Sequence, residues 1–278
     1  MPISYYSQLS HAQRRSVHQL LQHQKGHEFS SYPSLEDHQW VYLEGEHVCA
    51  TLGYHTVYDT IRFTNGAYRE LAAFRKLARF LHKHVLRQGA KRIHVQVSPP
   101  HDSTLSSIWK TLGYTLYAEQ FRLIGLSHGR PSTLRLKFVH AHNQALYLSL
   151  RNTATRESEF LFPHDAVYLE KAIQQKVMPY IVYDQQLIVG TLLFQKRGQT
   201  IRLLEITCLP ELRKQGYGSR ILDAFQEKLR RANILTFEVS FLSIHEDVLR
   251  LYEPNIFCDI QLSSHWHTFT VNVPPSLS

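Results

Sequence analysis

The chain repeats itself. Val41-Tyr42 followed by Val48-Cys49-Ala50-Thr51-Leu52 resembles Val182-Tyr183 followed by Ile188-Val189-Gly190-Thr191-Leu192. Further on, Val95-Gln96-Val97-Ser98 resembles Phe237-Glu238-Val239-Ser240, and Ile108-Trp109-Lys110-Thr111-Leu112-Gly113-Tyr114 resembles Leu251-Tyr252-Glu253-Pro254-Asn255-Ile256-Phe257. The matches keep their order at offsets of 141, 142 and 143 residues, a drift that short loop insertions explain. A repeat of this length dictates architecture, because each copy must build the same arrangement of elements. With 278 residues there is enough chain for two cores. Ser127-His128-Gly129-Arg130-Pro131-Ser132-Thr133 concentrates turn formers, so the expected domains are 1–130 and 134–278.

In the second copy the coarse order is a strand at Leu134–Val139, helices over Asn143–Leu150 and Asp165–Gln175, and strands at Tyr180–Tyr183 and Leu187–Gln195. A strand at Ile201–Leu209, a helix from Gly218 to Ala232 and a strand at Leu235–Phe241 then form a βαβ unit. A helix near Glu246–Tyr252 and strands toward Phe257–Leu262 and His267–Val273 complete the copy. The fold class expected is α/β of the α+β kind, two tandem domains, each a mixed and mostly antiparallel sheet flanked by helices.

The chemistry concentrates where the Ile201–Leu209 strand ends at Pro210 and a turn, Arg213-Lys214-Gln215-Gly216-Tyr217-Gly218-Ser219, opens the following helix. Ile221, Leu222, Phe225 and Leu229 mark that helix's buried face. Its N-terminus presents backbone N–H groups and a positive dipole end, which suits a phosphate. The glycines allow close approach, and Arg213 and Lys214 add positive charge.

This segment resembles the GNAT superfamily of N-acyltransferases, whose signature Gln/Arg-x-x-Gly-x-Gly/Ala follows a strand ending in a hydrophobic-x-Pro-Glu sequence. The matching residues are Cys208-Leu209-Pro210-Glu211 and Arg213-Lys214-Gln215-Gly216-Tyr217-Gly218, and the likeness extends over most of residues 136–262. The resemblance implies tandem GNAT-like domains with a degenerate N-terminal copy. It also implies acetyl-CoA or another acyl-CoA as cosubstrate, no metal, and direct attack of a neutral amine on the thioester. Ile206 and Cys208 match backbone positions that hold the pantetheine arm, and the turn Arg213–Ser219 would hold the pyrophosphate. Tyr252 matches a tyrosine that protonates the departing thiolate; its alternative is core packing. Glu205 lies where relatives carry an acidic or amide group facing the acceptor, so it is the candidate base, with a salt-bridged strand residue as the alternative. Strict alternation would put it on one face with Leu203 and Thr207, unless a bulge intervenes. His245 stands where the family usually has asparagine and is a candidate cofactor contact. A non-catalytic acyl-CoA sensor is the alternative function, and a small-molecule, peptide or protein amine is the expected acceptor.

The first copy lacks the turn, since an offset of 142 sets Leu71–Leu77 against Arg213–Ser219, and Trp109 replaces the tyrosine. Residues 1–134 carry 15 Lys and Arg against 9 Asp and Glu, most of the chain's formal net charge of +8. Arg75, Arg79, Lys83 and Arg87 recur at four-residue steps on a helix expected over Arg69–Arg87, the one feature that admits a nucleic-acid partner. His265-Trp266-His267 and His82-Lys83-His84 read as ordinary histidines without further ligands nearby. The absence of a signal-like start or a long apolar run, together with three unpaired-looking cysteines, points to a cytoplasmic protein with no membrane contact.

Overall fold

The computed structural model describes residues 2–24, 38–57, 60–97, 102–127, 130–156, 158, 161, 163–198, 200–244, 250–252 and 257–271. In chain order the first elements are β1 (Ile3–Tyr5), α1 (His11–Gln24), β2 (Gln39–Glu44), β3 (His47–Val57), β4 (Thr60–Tyr68), α2 (Leu71–Arg87), β5 (Arg92–Val97), α3 (Asp102–Thr111) and β6 (Thr115–Leu126). They are followed by β7 (Arg135–Phe138), α4 (Gln144–Thr155), α5 (Ala166–Gln174), β8 (Val177–Asp184), β9 (Leu187–Arg197), β10 (Thr200–Cys208), α6 (Tyr217–Arg231), β11 (Thr236–Leu242) and β12 (Phe257–Thr270).

The chain divides into two compact units, residues 1–119 with 263–278, and residues 120–262. This differs from the expected boundary at 130/134 in a physically specific way. In the first unit β1, β2, β3, β4 and β5 lie in that order, with only the β4–β5 pair parallel, and residues His265–Thr270 complete the sheet antiparallel to β5. In the second, β7, β8, β9, β10 and β11 follow the same pattern, with β10–β11 the parallel pair, and residues Gln120–Leu126 complete it antiparallel to β11. Each sheet therefore takes its sixth strand from outside its own repeat. The turn-rich stretch after Leu126 is a connection within the second unit, and the two strands expected at 257–262 and 267–273 are one, β12.

In the first unit Phe74, Leu77, Leu81 and Val85 of α2 pack on Trp40, Leu52, Phe63 and Ile93, while α1 sets Val17, Leu20 and Leu21 against Val41, Val48 and Ala67. In the second, Ile221, Leu222, Phe225 and Leu229 of α6 cover Val182, Leu192, Phe194, Leu203 and Phe237, and Tyr147 with Leu169 and Ala172 of α4 and α5 cover Ile181 and Leu193. Among the described residues no helix is long and apolar enough to cross a membrane.

The histidine pairs have structural partners: His82 Nδ1 lies 3.1 Å from the Tyr114 hydroxyl, and His84 stacks on Phe80 at 5.9 Å. His267 Nε2 lies 3.0 Å from Ser106 Oγ, and His265 pairs with Glu119 at 3.6 Å.

Three of the buried histidines are shifted far enough to make stability strongly pH-dependent. Burial, then Arg62 and Arg92, lowers His94 to about 4; burial, then His265 and Lys110, lowers His267 to about 4. In the second unit burial, then Arg151, lowers His164 to about 3. The folded state resists protons that the unfolded chain accepts below about pH 6.5, so stability is whole above that value and is lost as pH falls toward 4. Each histidine contributes a slope of up to about 1.4 kcal/mol per pH unit in that window. Melting temperature is expected to fall steadily from pH 7 to pH 5, with the first unit, holding two of the three, failing first. A flat profile over that range would contradict the burial of all three.

Candidate functional site

Strand β10 is held to β9 along its length but to β11 only over Ile201–Leu203, opposite Phe237–Val239. Beyond Leu203, Ile206 and Cys208 lie in a stretch with no ladder partner in β11 among the described residues. On the other side β9 comes very close: a Cβ on Gly190 would lie 2.0 Å from the Thr207 carbonyl oxygen, so only glycine fits. Thr191 and Thr207 join their hydroxyls at 2.6 Å beside it.

After β10 the chain makes a short 3-10 turn over Pro210–Leu212 and passes through two left-handed residues, Lys214 at φ 61° and Gly216 at φ 79°. Gly216 is the N-cap of α6. The positive φ is the reason for glycine there, since a side chain would be strained even though space is open around it. The first hydrogen bond of α6 is Arg220 N to Gly216 O at 3.2 Å, which leaves the N–H groups of Tyr217, Gly218 and Ser219 without an intrahelical acceptor. Side chains shape this turn. Arg213 Nη2 donates to Ala154 O at 2.7 Å, Gln215 Nε2 donates to Glu211 O at 2.9 Å, and Tyr217 donates to Asp184 at 3.3 Å. Arg213 is thus anchored to the end of α4, and both Arg213 and Lys214 are exposed residues.

Glu205 departs from strict alternation. Leu204 is the extra residue of a bulge: Leu203 pairs with Phe194, and Glu205 with Leu193. Leu203 accordingly packs on the α6 face, while Glu205 turns to the face under α4 and α5. There it meets Arg151. Nε donates to Oε1 at 2.9 Å and Nη2 to Oε2 at 2.7 Å, with the residues 1% and 9% exposed. Arg151 Nη1 also donates to Asn152 Oδ1 at 3.3 Å, and Asn152 clasps the His164 backbone through bonds of 2.8 Å in both directions. Tyr147 is fully buried beside them, its phenol pushed well up by burial and then by Glu205. Sequence reasoning missed Arg151, although Tyr147, Arg151, Ala154 and Thr155 recur as the buried face of α4. A charge at a core-facing helical position is the signal, because it must find a partner.

Tyr252 is buried in the α6 core with Ile221 and Phe225, and burial holds its phenol well above the ordinary value. Its neighbour Leu251 reaches the helix entrance, where a Cβ on Gly218 would sit 3.6 Å from Leu251 Cδ1. The segment carrying Tyr252 is thereby brought to the turn. His245 lies outside the described residues.

Residues 147–253 match the family model described as "Acetyltransferase (GNAT) family". The second unit carries a GNAT domain. A GCN5-related N-acetyltransferase from Anabaena variabilis matches with a TM-score of 0.68 at 12% identity, over 97% of this chain and 72% of that one. One from Kribbella flavida gives 0.66 at 13% identity, over 98% and 71%. A tandem GNAT protein from the clavulanic acid biosynthesis pathway gives 0.59 at 11% identity, over 92% and 95%. At these identities the likeness is one of fold. No curated protein matches the chain.

Beside the GNAT domain, the first unit differs at the equivalent entrance. The helices begin at Leu71 and Tyr217, an offset of 146 in place of the 142 expected from the sequence, so the position matching the N-cap Gly216 is Glu70, at φ −123°, and not Phe74. A carboxylate there disfavours a phosphate. Trp109, fully buried, stacks on Phe63 at 5.3 Å and meets Phe74 edge-on at 6.3 Å, filling the core where the repeat sets Tyr252. The first unit also has a groove of about 690 Å³ lined by Tyr5, Tyr6, Arg14, His38, Tyr54 and Gln88. It opens at the other end of α2 from Glu70.

Proposed function

We propose that the second unit transfers an acetyl group from acetyl-CoA to a primary amine by direct attack in a ternary complex, and that the first unit is a degenerate copy without a cofactor turn. The observation that carries this reading is a helix entered through a left-handed glycine, with N–H groups of Tyr217, Gly218 and Ser219 presented where β10 has left β11. Such an entrance fits a pyrophosphate, and the unpaired stretch of β10 fits an extended amide-bearing arm through Ile206 and Cys208. The thioester supplies the electrophile. Binding amine and thioester side by side accounts for much of the acceleration.

Tyr252, which burial keeps protonated, is the proton donor to the departing thiolate, and the proton shed by the attacking amine restores the phenol, so that the net transfer is from nitrogen to sulfur. Glu205 serves this site differently from a general base. Both its oxygens accept from Arg151, so it ties the bulge of β10 to α4 and keeps the strand in its opened course. Lys214 adds exposed positive charge beside the pyrophosphate. Arg213 and Gln215 hold the turn's shape, and His245 remains a proposed cofactor contact.

Gly218→Asp tests the reading. Its Cβ meets only Leu251 at ordinary contact distance, and an acid in the first turn suits the helix dipole, so the fold should hold. Acetyl-CoA affinity should fall by at least about 10²-fold through repulsion of the pyrophosphate. Calorimetry is expected to find one site per chain in the parent protein; two equal sites, or unchanged affinity in a folded Gly218→Asp variant, would reject the assignment. Thiol release with a panel of amines completes the test, since binding without turnover on any of them would indicate a sensor.

A further inference from the structure

Helices α2 and α6 occupy equivalent places in the two units, yet three of the four Lys and Arg residues of α6 have partners, whereas on α2 only Lys76, which donates to the Tyr42 hydroxyl at 3.2 Å, has one among the described residues. On α6, Arg220 pairs with Asp184 at 2.8 Å, Arg231 with Glu227 at 2.5 Å, and Lys228 lies over the Tyr180 ring at 4.9 Å. On α2 no acidic residue occurs between Leu71 and Arg87. Arg75, Arg79, Lys83 and Arg87 are all exposed, and none has a hydrogen bond or ion pair among the described residues. Like charges at i, i+4 destabilise a helix, so a row of four is unfavourable by itself and the first unit does nothing to offset it.

We propose that the outer face of α2 binds the phosphate backbone of duplex nucleic acid without reading its sequence. Four-residue steps place the charged groups roughly 6 Å apart in a row of about 18 Å, a length that matches about five base-pair steps. Three of the four are arginines, whose planar forks suit phosphate oxygens. Single strands fit less well, because the face offers no ring for stacking: Phe80, half-buried, packs on Trp40 and His84. Insertion into a lipid surface is disfavoured too, since the apolar side of α2 is the core of its own unit, with Leu77, Leu81 and Val85 fully buried.

The test uses the full chain and fluorescein-labelled 20-base-pair duplexes, one DNA and one RNA, followed by anisotropy at 50 and 200 mM salt. Binding to at least one duplex is expected, weakening roughly 10²-fold between the two salt concentrations, as four phosphate contacts require. The variant Arg75→Gln, Arg79→Gln, Lys83→Gln, Arg87→Gln, with its melting temperature as the folding check, should lose that binding. A control that removes four exposed lysines of the second unit, Lys137→Gln, Lys171→Gln, Lys176→Gln and Lys196→Gln, should keep it. No binding to either duplex at 50 mM salt overturns the proposal. Equal binding by the α2 variant, or equal loss in the control, does so too. Tighter binding to polyglutamate than to both duplexes would replace nucleic acid with an acidic protein segment.

Discussion

Tyr252→Phe is expected to lower turnover on a small amine by roughly 10²–10⁴-fold, the usual contribution of general acid catalysis, while acetyl-CoA affinity changes little. The ring is what packs against Ile221 and Phe225, and phenylalanine keeps it. Only the hydroxyl is removed. Because burial holds that phenol well above its ordinary value, the parent protein should show no loss of activity from Tyr252 ionisation as pH rises toward 10. Single-turnover thiol release, which isolates the chemical step, is the measurement. A turnover within about twofold of the parent would leave Tyr252 a packing residue. That outcome would also remove the proton donor from the proposed mechanism while leaving the cofactor turn intact.

Arg151→Met is expected to destabilise the second unit by about 3–5 kcal/mol, the scale seen when one partner of a buried ion pair is removed. The magnitude follows from what is left behind: Glu205, 9% exposed, would keep two oxygens that have lost their charged donors. Removing both charges should be far milder. The double variant Arg151→Met, Glu205→Leu is expected to recover most of the loss in urea unfolding, because apolar groups of similar size replace the pair without an orphaned charge. If Arg151→Met alone shifts stability by less than about 1 kcal/mol, the two groups do not depend on one another as their geometry indicates. Because the pair ties α4 to the bulge of β10, the double variant also separates structure from chemistry. A stable double variant with weakened acetyl-CoA affinity would show that the charged clamp sets the course of the strand.

The parts of this protein legible in the sequence are those in which local chemistry decides the outcome. The entrance to α6 is one: Gly216 sits at a positive φ that glycine adopts most readily, and the spacing of Ile221, Leu222, Phe225 and Leu229 is a helical face wherever it is placed. The internal repeat likewise foretold two units with the same strand order. Other features depended on distant partners. Residues 120–126 and 265–270 are strands, but nothing local says that the first completes the sheet of β11 and the second that of β5. Strand pairing is chosen by surfaces far apart in sequence. The face taken by Glu205 was hidden for a related reason. One extra residue, Leu204, reverses the side to which the next side chain points, and whether a bulge forms depends on the neighbouring strand and on Arg151 waiting 54 residues earlier. The sequence by itself therefore determined the helix entrance, the glycine turn and the doubled architecture. The tertiary structure alone decided which strand closes each sheet and that the carboxylate proposed as a base is clamped by an arginine.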